Sequence, residues 1–592
     1  MDFKDKYLGI TIGPIYATFN QARKTREVWL GSFFFSYVMK LILKFFNENK
    51  YGDLFAVDTS LLKEDKIKKT YHGAGIYNDR CYVDLDREFS MPDYEKLIEY
   101  ILNGLNDLKA LDEDQRKRIK QYIQVYCTVQ TIVDKRSILR ILNQHLDNME
   151  LQTKYYPDYI YALASGFDER KNTLVDELTF LPDSLEELQE WFREGFIMSK
   201  DSPDMIYYEN LFNGIYSFPS ILEISTTGLK RKKPDVYRDQ IHSLFEDSLE
   251  EEIRNAKRRK TSSFKIVKKS ITDDYILQEI KKIFKKDFQT VHKYIAIVKA
   301  DGDRIGELIT KVNENESVIE QGDTQKSKDF SEKEQQKRDT ETAKKLEEFS
   351  GNLTQFAAQA ADIIHDYGGK PIFIGGDDLF FFAPVVSYQN GKDTHLFELI
   401  QNLDSAFHQR WDEFAGKYNI KPSLSYGISI TYYKYPMNES IGLSHDLLSS
   451  AKNYPGKNNI AIKLMSHSGS YDEVVLNKHE DSDFNKLISL LNQFVDKDRE
   501  IIVSSVLQRL RTDESVLLSI ARDNEYNQFN DYFFNEYDLE NLKDEGKKAY
   551  VKISIKLFNE IFSAYLDEKK KEALEKLRTI YRLLNFLIHK EQ

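Results

Sequence analysis

The residues best suited to chemistry in this sequence lie in Lys370-Pro-Ile-Phe-Ile-Gly-Gly-Asp-Asp-Leu-Phe-Phe-Phe-Ala-Pro384. Two apolar runs, 372–374 and 379–382, flank Gly375-Gly376. This pattern predicts a tight β-hairpin, because a two-residue turn needs φ > 0 and glycine supplies it without strain. Asp377 and Asp378 follow directly. Adjacent carboxylates between apolar strands are costly unless a counter-charge compensates them, and a divalent cation is the obvious one. Upstream, the apolar, β-prone run 294–300 ends in Asp301-Gly302-Asp303-Arg304-Ile305-Gly306. If that strand pairs with the hairpin, Asp301 joins Asp377 and Asp378. Three carboxylates with open positions suit Mg²⁺ shared with substrate phosphates. Two such ions can activate a ribose hydroxyl and stabilise leaving pyrophosphate. Gly302 and Gly306 would let backbone N–H groups approach a triphosphate. In isolation, a Gly-Gly-Asp-Asp hairpin with solvated acids is an equally good reading. The Asp-Gly-Asp strand end and the helix-forming stretch between the two motifs favour chemistry.

The elements that must hold these residues are legible in outline. Residues 290–470 alternate strand and helix patterns, with an alternating strand at 421–430 and an amphipathic helix over about 441–452. That helix ends in Ala451-Lys452-Asn453-Tyr454-Pro455-Gly456-Lys457-Asn458-Asn459, before a strand at 460–462. Lys452 and Lys457 can both reach phosphates as point charges. For Lys457, simple favourable placement at a helix C-terminus is as good an account. The N-terminal region predicts a strand at 7–12, one long helix through about 48, and strands near 54–57 and 81–85. A helix over about 92–108, a strand over about 122–133 and a helix over about 136–149 complete it. This is a ferredoxin-like α+β pattern. Residues 150–285 are mixed, with a helix at 174–195, a short strand and turn at 220–229 and a charged helix at 246–260. The charged tract 313–342 reads as a loop or extended solvated helix. Residues 480–592 read as a helical bundle whose last helix spans about 569–589.

Composition narrows the field. At 592 residues the chain has room for three or four domains. Its two cysteines, Cys81 and Cys127, exclude a disulfide framework or a cysteine-rich zinc site and suit the cytoplasm. No apolar run approaches the roughly 18 residues of a membrane span, and no signal peptide is evident. The net charge of −12 makes a poor general nucleic-acid binder. Two basic clusters, Lys230-Arg231-Lys232-Lys233 and Lys257-Arg258-Arg259-Lys260, can contact RNA backbone or can be solvated faces.

Four motifs, Asp301-Gly302-Asp303, Gly375-Gly376-Asp377-Asp378, Leu424-Ser425-Tyr426-Gly427 and Ala451-Lys452…Gly456-Lys457-Asn458, occur in the order of nucleotidyl-cyclase (GGDEF-related) palm domains. The N-terminal stretch from Thr11-Ile12-Gly13-Pro14-Ile15 to Trp29-Leu30-Gly31-Ser32 narrows the likeness. It resembles the start of the large palm subunit of type III-B (Cmr) CRISPR effector complexes. The resemblance implies two ferredoxin-like palms, with a degenerate palm at 1–150, a linker without zinc at 151–285, a catalytic palm at 286–470 and a helical domain at 471–592. It implies a cytoplasmic nucleotidyltransferase that makes an adenylate messenger from ATP when its complex binds target RNA. Other Cmr subunits and a guide CRISPR RNA are the implied partners. Asp301, Asp377 and Asp378 would hold Mg²⁺ or Mn²⁺ and Lys452 the triphosphate. The backbone of Gly302, Asp303, Arg304, Ile305 and Gly306, with Gly375, Gly376 and Lys457, would line the nucleotide site. The first palm has Ile12-Gly13-Pro14 where an acidic strand end is needed, so it would be silent and hold the acceptor. No HD nuclease is expected, since His365-Asp366 and His445-Asp446 lack further histidines. The product would be a cyclic oligoadenylate or AMP joined to S-adenosylmethionine. A silent scaffold subunit and a stand-alone dinucleotide cyclase are the alternatives; the acidic triad argues against the first and the second palm against the other.

Overall fold

The computed structural model describes residues 5–22, 25–55, 62, 74–108, 113–133, 137–151, 219–245, 247–248, 272–314, 332–465, 471–479, 482–492, 498–522, 527–537 and 544–588. The helix expected at 174–195 and most of that expected at 246–260 lie outside them, as does the second basic cluster.

The N-terminal unit is an antiparallel sheet of β1 (Lys6–Gly13), β2 (Gly52–Phe55), β3 (Arg80–Leu85) and β4 (Gln124–Thr131), in the order β2-β3-β1-β4. Helices α1 (Ile15–Gln21), α2 (Thr25–Asn49), α3 (Met91–Leu108), α4 (Glu113–Tyr122) and α5 (Ile138–Glu150) accompany it. This is the ferredoxin-like βαββαβ arrangement. β1 sits in the middle with Leu8, Ile10 and Ile12 buried towards the main core, while Tyr7 packs with Leu142 and Leu146 of α5. The single long helix expected here is two helices, because Ala22 is extended (ψ 132°) and ends α1.

A short helical segment follows: α6 (Ile221–Ser225), α7 (Thr227–Lys232), α8 (Pro234–Tyr237) and α9 (Asp273–Phe284). The strand expected at 220–229 is therefore corrected to helix. Ser220 accepts the Glu223 N–H and Glu223 accepts the Ser220 N–H, a reciprocal cap that nucleates a turn despite the β-branched residues that follow.

The second sheet has the order β12-β11-β10-β5-β7-β6. Its strands are β5 (Tyr294–Asp303), β6 (Lys370–Gly375), β7 (Asp378–Pro384), β10 (Ser423–Tyr432), β11 (Asn459–Met465) and β12 (Tyr471–Asn477). β8 (Val386–Gln389) and β9 (Lys392–His395) form a separate hairpin that the sequence reading did not include. The connecting helices are α10 (Ile305–Glu314), α11 (Glu332–Tyr367), α12 (Leu396–Tyr418) and α13 (Met437–Asn453). Strands β10, β5, β7 and β6 repeat the ferredoxin-like order, and β11 adds parallel to β10 through α13. Alternation sorts the faces of β5: Ala296, Val298 and Ala300 join the core under α11 and α12, whereas Ile295 and Ile297 join Phe19 and Trp29 of the N-terminal unit and Met437 and Ile441 of α13.

α13 lies close on β10 because the strand presents small residues to it. The Ser429 hydroxyl donates to the Ser440 carbonyl at 2.8 Å, and Thr431 and Ser440 hydroxyls meet at 3.0 Å. At Gly427 any Cβ would collide with the α13 backbone at Ser444 and Leu448. Among the described residues the C-terminal region holds six α-helices: α14 (Asp483–Asn492), α15 (Asp498–Thr512), α16 (Glu514–Arg522), α17 (Asn527–Tyr537), α18 (Glu545–Ser563) and α19 (Lys570–Ile588). They form the expected bundle, and Phe586 of α19 packs edge-on to Tyr294 of β5, ring centroids 4.8 Å apart. Among the described residues no helix is long and apolar enough to cross a membrane.

Candidate active site

The apolar runs around the Gly-Gly-Asp-Asp motif form β6 and β7, with Gly375 paired to Asp378 and Gly376-Asp377 as the turn. Only one turn residue needs glycine for its backbone: Gly376 has φ +76°. A Cβ at Gly375 would meet the ends of the Asn78 and Phe373 side chains, so a larger residue there requires those side chains to move.

β5 lies next to β7, and its last rung to that strand pairs Ala300 with Leu379. Asp301 therefore stands beside the hairpin, and on its other side faces Ser425 of β10. A Cβ on Gly302 would collide with the Asp377 carboxylate. Glycine there admits that carboxylate, which accepts the Gly302 N–H. Lys452, in the last turn of α13, donates to the Gly302 carbonyl at 2.8 Å and is ion-paired with Asp301. Sequence-distant Asp301, Asp377, Asp378 and Lys452 thus converge at one end of the sheet.

The electrostatics are those of a crowded anionic site. Burial, then repulsion from Asp301, pushes the Asp377 carboxyl from 3.8 up to about 6, despite the opposing Lys452 charge. Asp378 has an exposed edge, yet desolvation by the packed strands, with Asp377, Asp301 and Asp79, drives it well above the usual carboxylate range. Among the described residues the carboxylates do not close into a three-ligand cage; Lys452 takes Asp301 instead. The donor set nevertheless fits a hard divalent cation: oxygen ligands whose mutual repulsion such a charge would relieve. Ionising Asp377 opposes folding, fully above about pH 6 and not at all below the unfolded value of 3.8. Asp377→Asn is therefore expected to stabilise the metal-free chain at neutral pH by on the order of 1–2 kcal/mol. Thermal unfolding should show the gain shrinking as pH falls towards 4, and Mg²⁺ raising the midpoint of the native chain more than that of the variant.

Other expected site residues have different surroundings. Asp303 is buried and works inwards: its carboxylate accepts the Ser425 hydroxyl at 2.6 Å, the Ser423 hydroxyl at 3.0 Å and the Asn458 N–H at 2.9 Å. It ties the end of β5 to β10 and to the turn after α13. In that turn Gly456, Lys457 and Asn458 all have positive φ, and Lys457 donates back to the Lys452 carbonyl at 2.7 Å, capping the helix. Arg304, at φ +64°, is engaged by Glu307 at 2.8 and 3.0 Å. Ile305 starts α10 with its side chain buried, and nothing lies within 4 Å of where a Gly306 Cβ would stand. Three residues of the first basic cluster are engaged within the chain: Lys232 and Lys233 pair with Asp287 at 3.1 and 2.6 Å, and Arg231 donates to the His365 and Asp366 carbonyls at the end of α11, while Lys230 is exposed.

Two residues near the site were not among those expected. Asp79 of the N-terminal unit acts electrostatically on Asp378. It immediately precedes β3 much as Asp377 precedes β7, and matching the two hairpins by position would have found it. Lys299 is buried on β5; its ammonium meets the Tyr16 hydroxyl at 3.3 Å and lies over the Tyr16 and Phe380 rings at 4.6 and 5.1 Å. Burial lowers it to about 8 against the pull of Asp378 and Asp446. A lone lysine in an apolar strand was the available signal. His445 packs against Tyr16, centroids 4.6 Å apart.

Residues 294–461 match the Cas10/Cmr2 second palm domain family, and residues 7–71 the N-terminal family of the CRISPR-associated protein Cmr2. The CRISPR system Cmr subunit Cmr2 of Pyrococcus furiosus is 27% identical over 461 residues, which is 70% of this chain. The chain spans about half the length of that curated relative (49%). Similar solved structures include a type III-B Cmr-beta complex bound to cognate target RNA, at 14% identity and TM-score 0.47, covering 93% of this chain and 78% of that one. A Csm1–Csm4 cassette in complex with one ATP matches at 12% identity and TM-score 0.43, covering 99% and 70%. Asp301, Asp377, Asp378 and Lys452 all fall inside the stretch that matches the Cas10/Cmr2 second palm domain family, and β1 from Tyr7 on, with α1 and α2, inside the stretch that matches the Cmr2 N-terminal family.

Proposed function

We propose that this chain is the nucleotidyltransferase subunit of a type III-B CRISPR complex, switched on by target RNA. Its partners are other Cmr subunits and a guide CRISPR RNA. The observation that carries the reading is the meeting of Asp301, Asp377, Asp378 and Lys452 at one end of the second palm sheet. An acceptor ribose hydroxyl attacks the α-phosphorus of ATP; the new P–O bond forms as the bond to the β-phosphate oxygen breaks, and pyrophosphate leaves. Mg²⁺ or Mn²⁺ held by Asp301, Asp377 and Asp378 would lower the hydroxyl's pKa and neutralise the leaving charge. Lys452 holds the triphosphate end, the open space over Gly306 admits phosphates, and Asp303 and Lys457 fix the turn from which Lys452 projects. The acceptor is either a second adenylate, giving a cyclic oligoadenylate, or S-adenosylmethionine. The N-terminal palm supplies its side of the cleft, with Asp79 and Tyr16 facing the catalytic strands.

The assembled complex with matching target RNA, Mg²⁺ or Mn²⁺ and labelled ATP, with and without S-adenosylmethionine, tests this by mass spectrometry. Oligoadenylates without the methionine compound, or a new adenylylated product only with it, support the reading and name the acceptor. No product under either condition overturns it in favour of a scaffold.

A further inference from the structure

Beside the packing of α1 and α2 on the catalytic hairpin, one short described segment of the N-terminal palm, residues 74–79, bonds to it through its backbone. Gly75 pairs in parallel with Phe373. Its N–H donates to the Ile372 carbonyl at 3.0 Å, and its carbonyl accepts the Ile374 N–H at 2.8 Å. β6 is the edge of the catalytic sheet, and an edge strand otherwise leaves such groups without ladder partners. The rung at Phe373 lies three residues before Gly376, the first residue of the turn.

The segment is itself held at both ends. The Ser36 hydroxyl of α2 accepts the Ile76 N–H at 2.8 Å and the Tyr77 N–H at 2.9 Å. Ser32, one turn earlier on α2, donates to the same Ile372 carbonyl at 2.7 Å. At the far end the Asp79 carbonyl accepts the Ile12 N–H of β1 at 3.0 Å. Space enforces the fit: a Cβ at Gly75 would stand 2.7 Å from the Ser32 hydroxyl oxygen and 3.0 Å from the Ser32 carbonyl oxygen. Both serines are buried.

We infer that residues 74–79 are a strap by which the N-terminal palm sets the position of Asp377 and Asp378, with Ser36 and Ser32 as positioning residues. This rests on the nucleotidyltransferase reading, and gives the first palm a part in the chemical step separate from any role in holding substrate. A shift of α2 is transmitted through two serine hydroxyls and one backbone rung to the catalytic turn, and the same strap carries Asp79 up to Asp378. Because neither serine touches the nucleotide side of the site, the strap acts on turnover and leaves ATP binding alone.

Ser36→Ala and Ser32→Ala, assayed in the assembled complex with target RNA, should each lower kcat by about tenfold while leaving KM for ATP within about twofold. Hydrogen exchange of the full chain should rise in residues 371–378, with the global unfolding midpoint little changed. Unaltered kcat in both variants with an active wild-type complex overturns the strap, as does unaltered exchange at 371–378. If Ser36→Ala fails to fold, Ser32→Ala, which leaves the Ile76 and Tyr77 amides satisfied, decides the matter. A wild-type complex that makes no nucleotide product defeats the function proposed above, and the exchange result alone then decides the strap.

Discussion

Replacing Asp377 and Asp378 together by alanine is expected to abolish nucleotide synthesis, by at least about 10³-fold, while guide RNA and partner subunits still co-purify. The size follows from what these groups do: they are the acidic face of the hairpin turn, and no described neighbour replaces them. The neighbouring carboxylates do not compensate. Asp301 is paired to Lys452, Asp303 is buried among Ser423, Ser425 and Asn458, and Asp79 sits on the other palm. Folding should not suffer, because both aspartates ionise at a cost that alanine removes. A double variant that is more heat-stable than the parent and inert is the expected pairing. Product at parental yield would refute the assignment of these carboxylates.

Lys452→Met is the second large effect, a fall of about 10²-fold in kcat/KM. Lys452 does two jobs from the end of α13: it neutralises Asp301 and anchors the Gly302 carbonyl. Methionine keeps the stem and removes the charge. Part of the loss should appear in KM for ATP, because a triphosphate loses its cation. The rest should appear as a steeper Mg²⁺ requirement, because three carboxylates then repel without relief. Lys452→Arg restores charge but not a compact ammonium, so it should recover little. A variant with unchanged KM and unchanged Mg²⁺ dependence would remove Lys452 from the site.

Much of this was readable from residue types. Glycines between apolar runs mark a hairpin, and β6–β7 appears at that place, but the turn is Gly376-Asp377, one residue later than the glycine pair, and only Gly376 takes positive φ. The helix expected over about 441–452 is present and a turn longer at its start. Long-range convergence was less legible. Asp303 and Asp301 are equivalent in sequence, and only the register of β5 against β10 and the turn at Asn458 send one inwards and leave the other at the rim. Lys457 turns back onto its own helix for the same reason. The 220–229 segment misled because Ile221, Ile224, Thr226 and Thr227 favour strands, whereas Ser220 and Glu223 form a cap worth about 1 kcal/mol. The basic cluster at 230–233 read as a solvated face more readily than as an RNA contact, and neither reading found its partners, Asp287 and the end of α11, because they are far away in sequence.

The close seat of α13 on β10 bears on how inactive relatives are recognised. Counting aspartates alone will overestimate the active members. A side chain at the position of Gly427 would push α13 outward and withdraw Lys452 from Gly302 and Asp301, with every acidic motif intact. A natural sequence with a complete Gly-Gly-Asp-Asp hairpin and any larger residue there is therefore expected to have lost synthesis through geometry. On the function proposed above, the absence of one methyl group on a neighbouring strand is expected to matter as much as the carboxylates themselves.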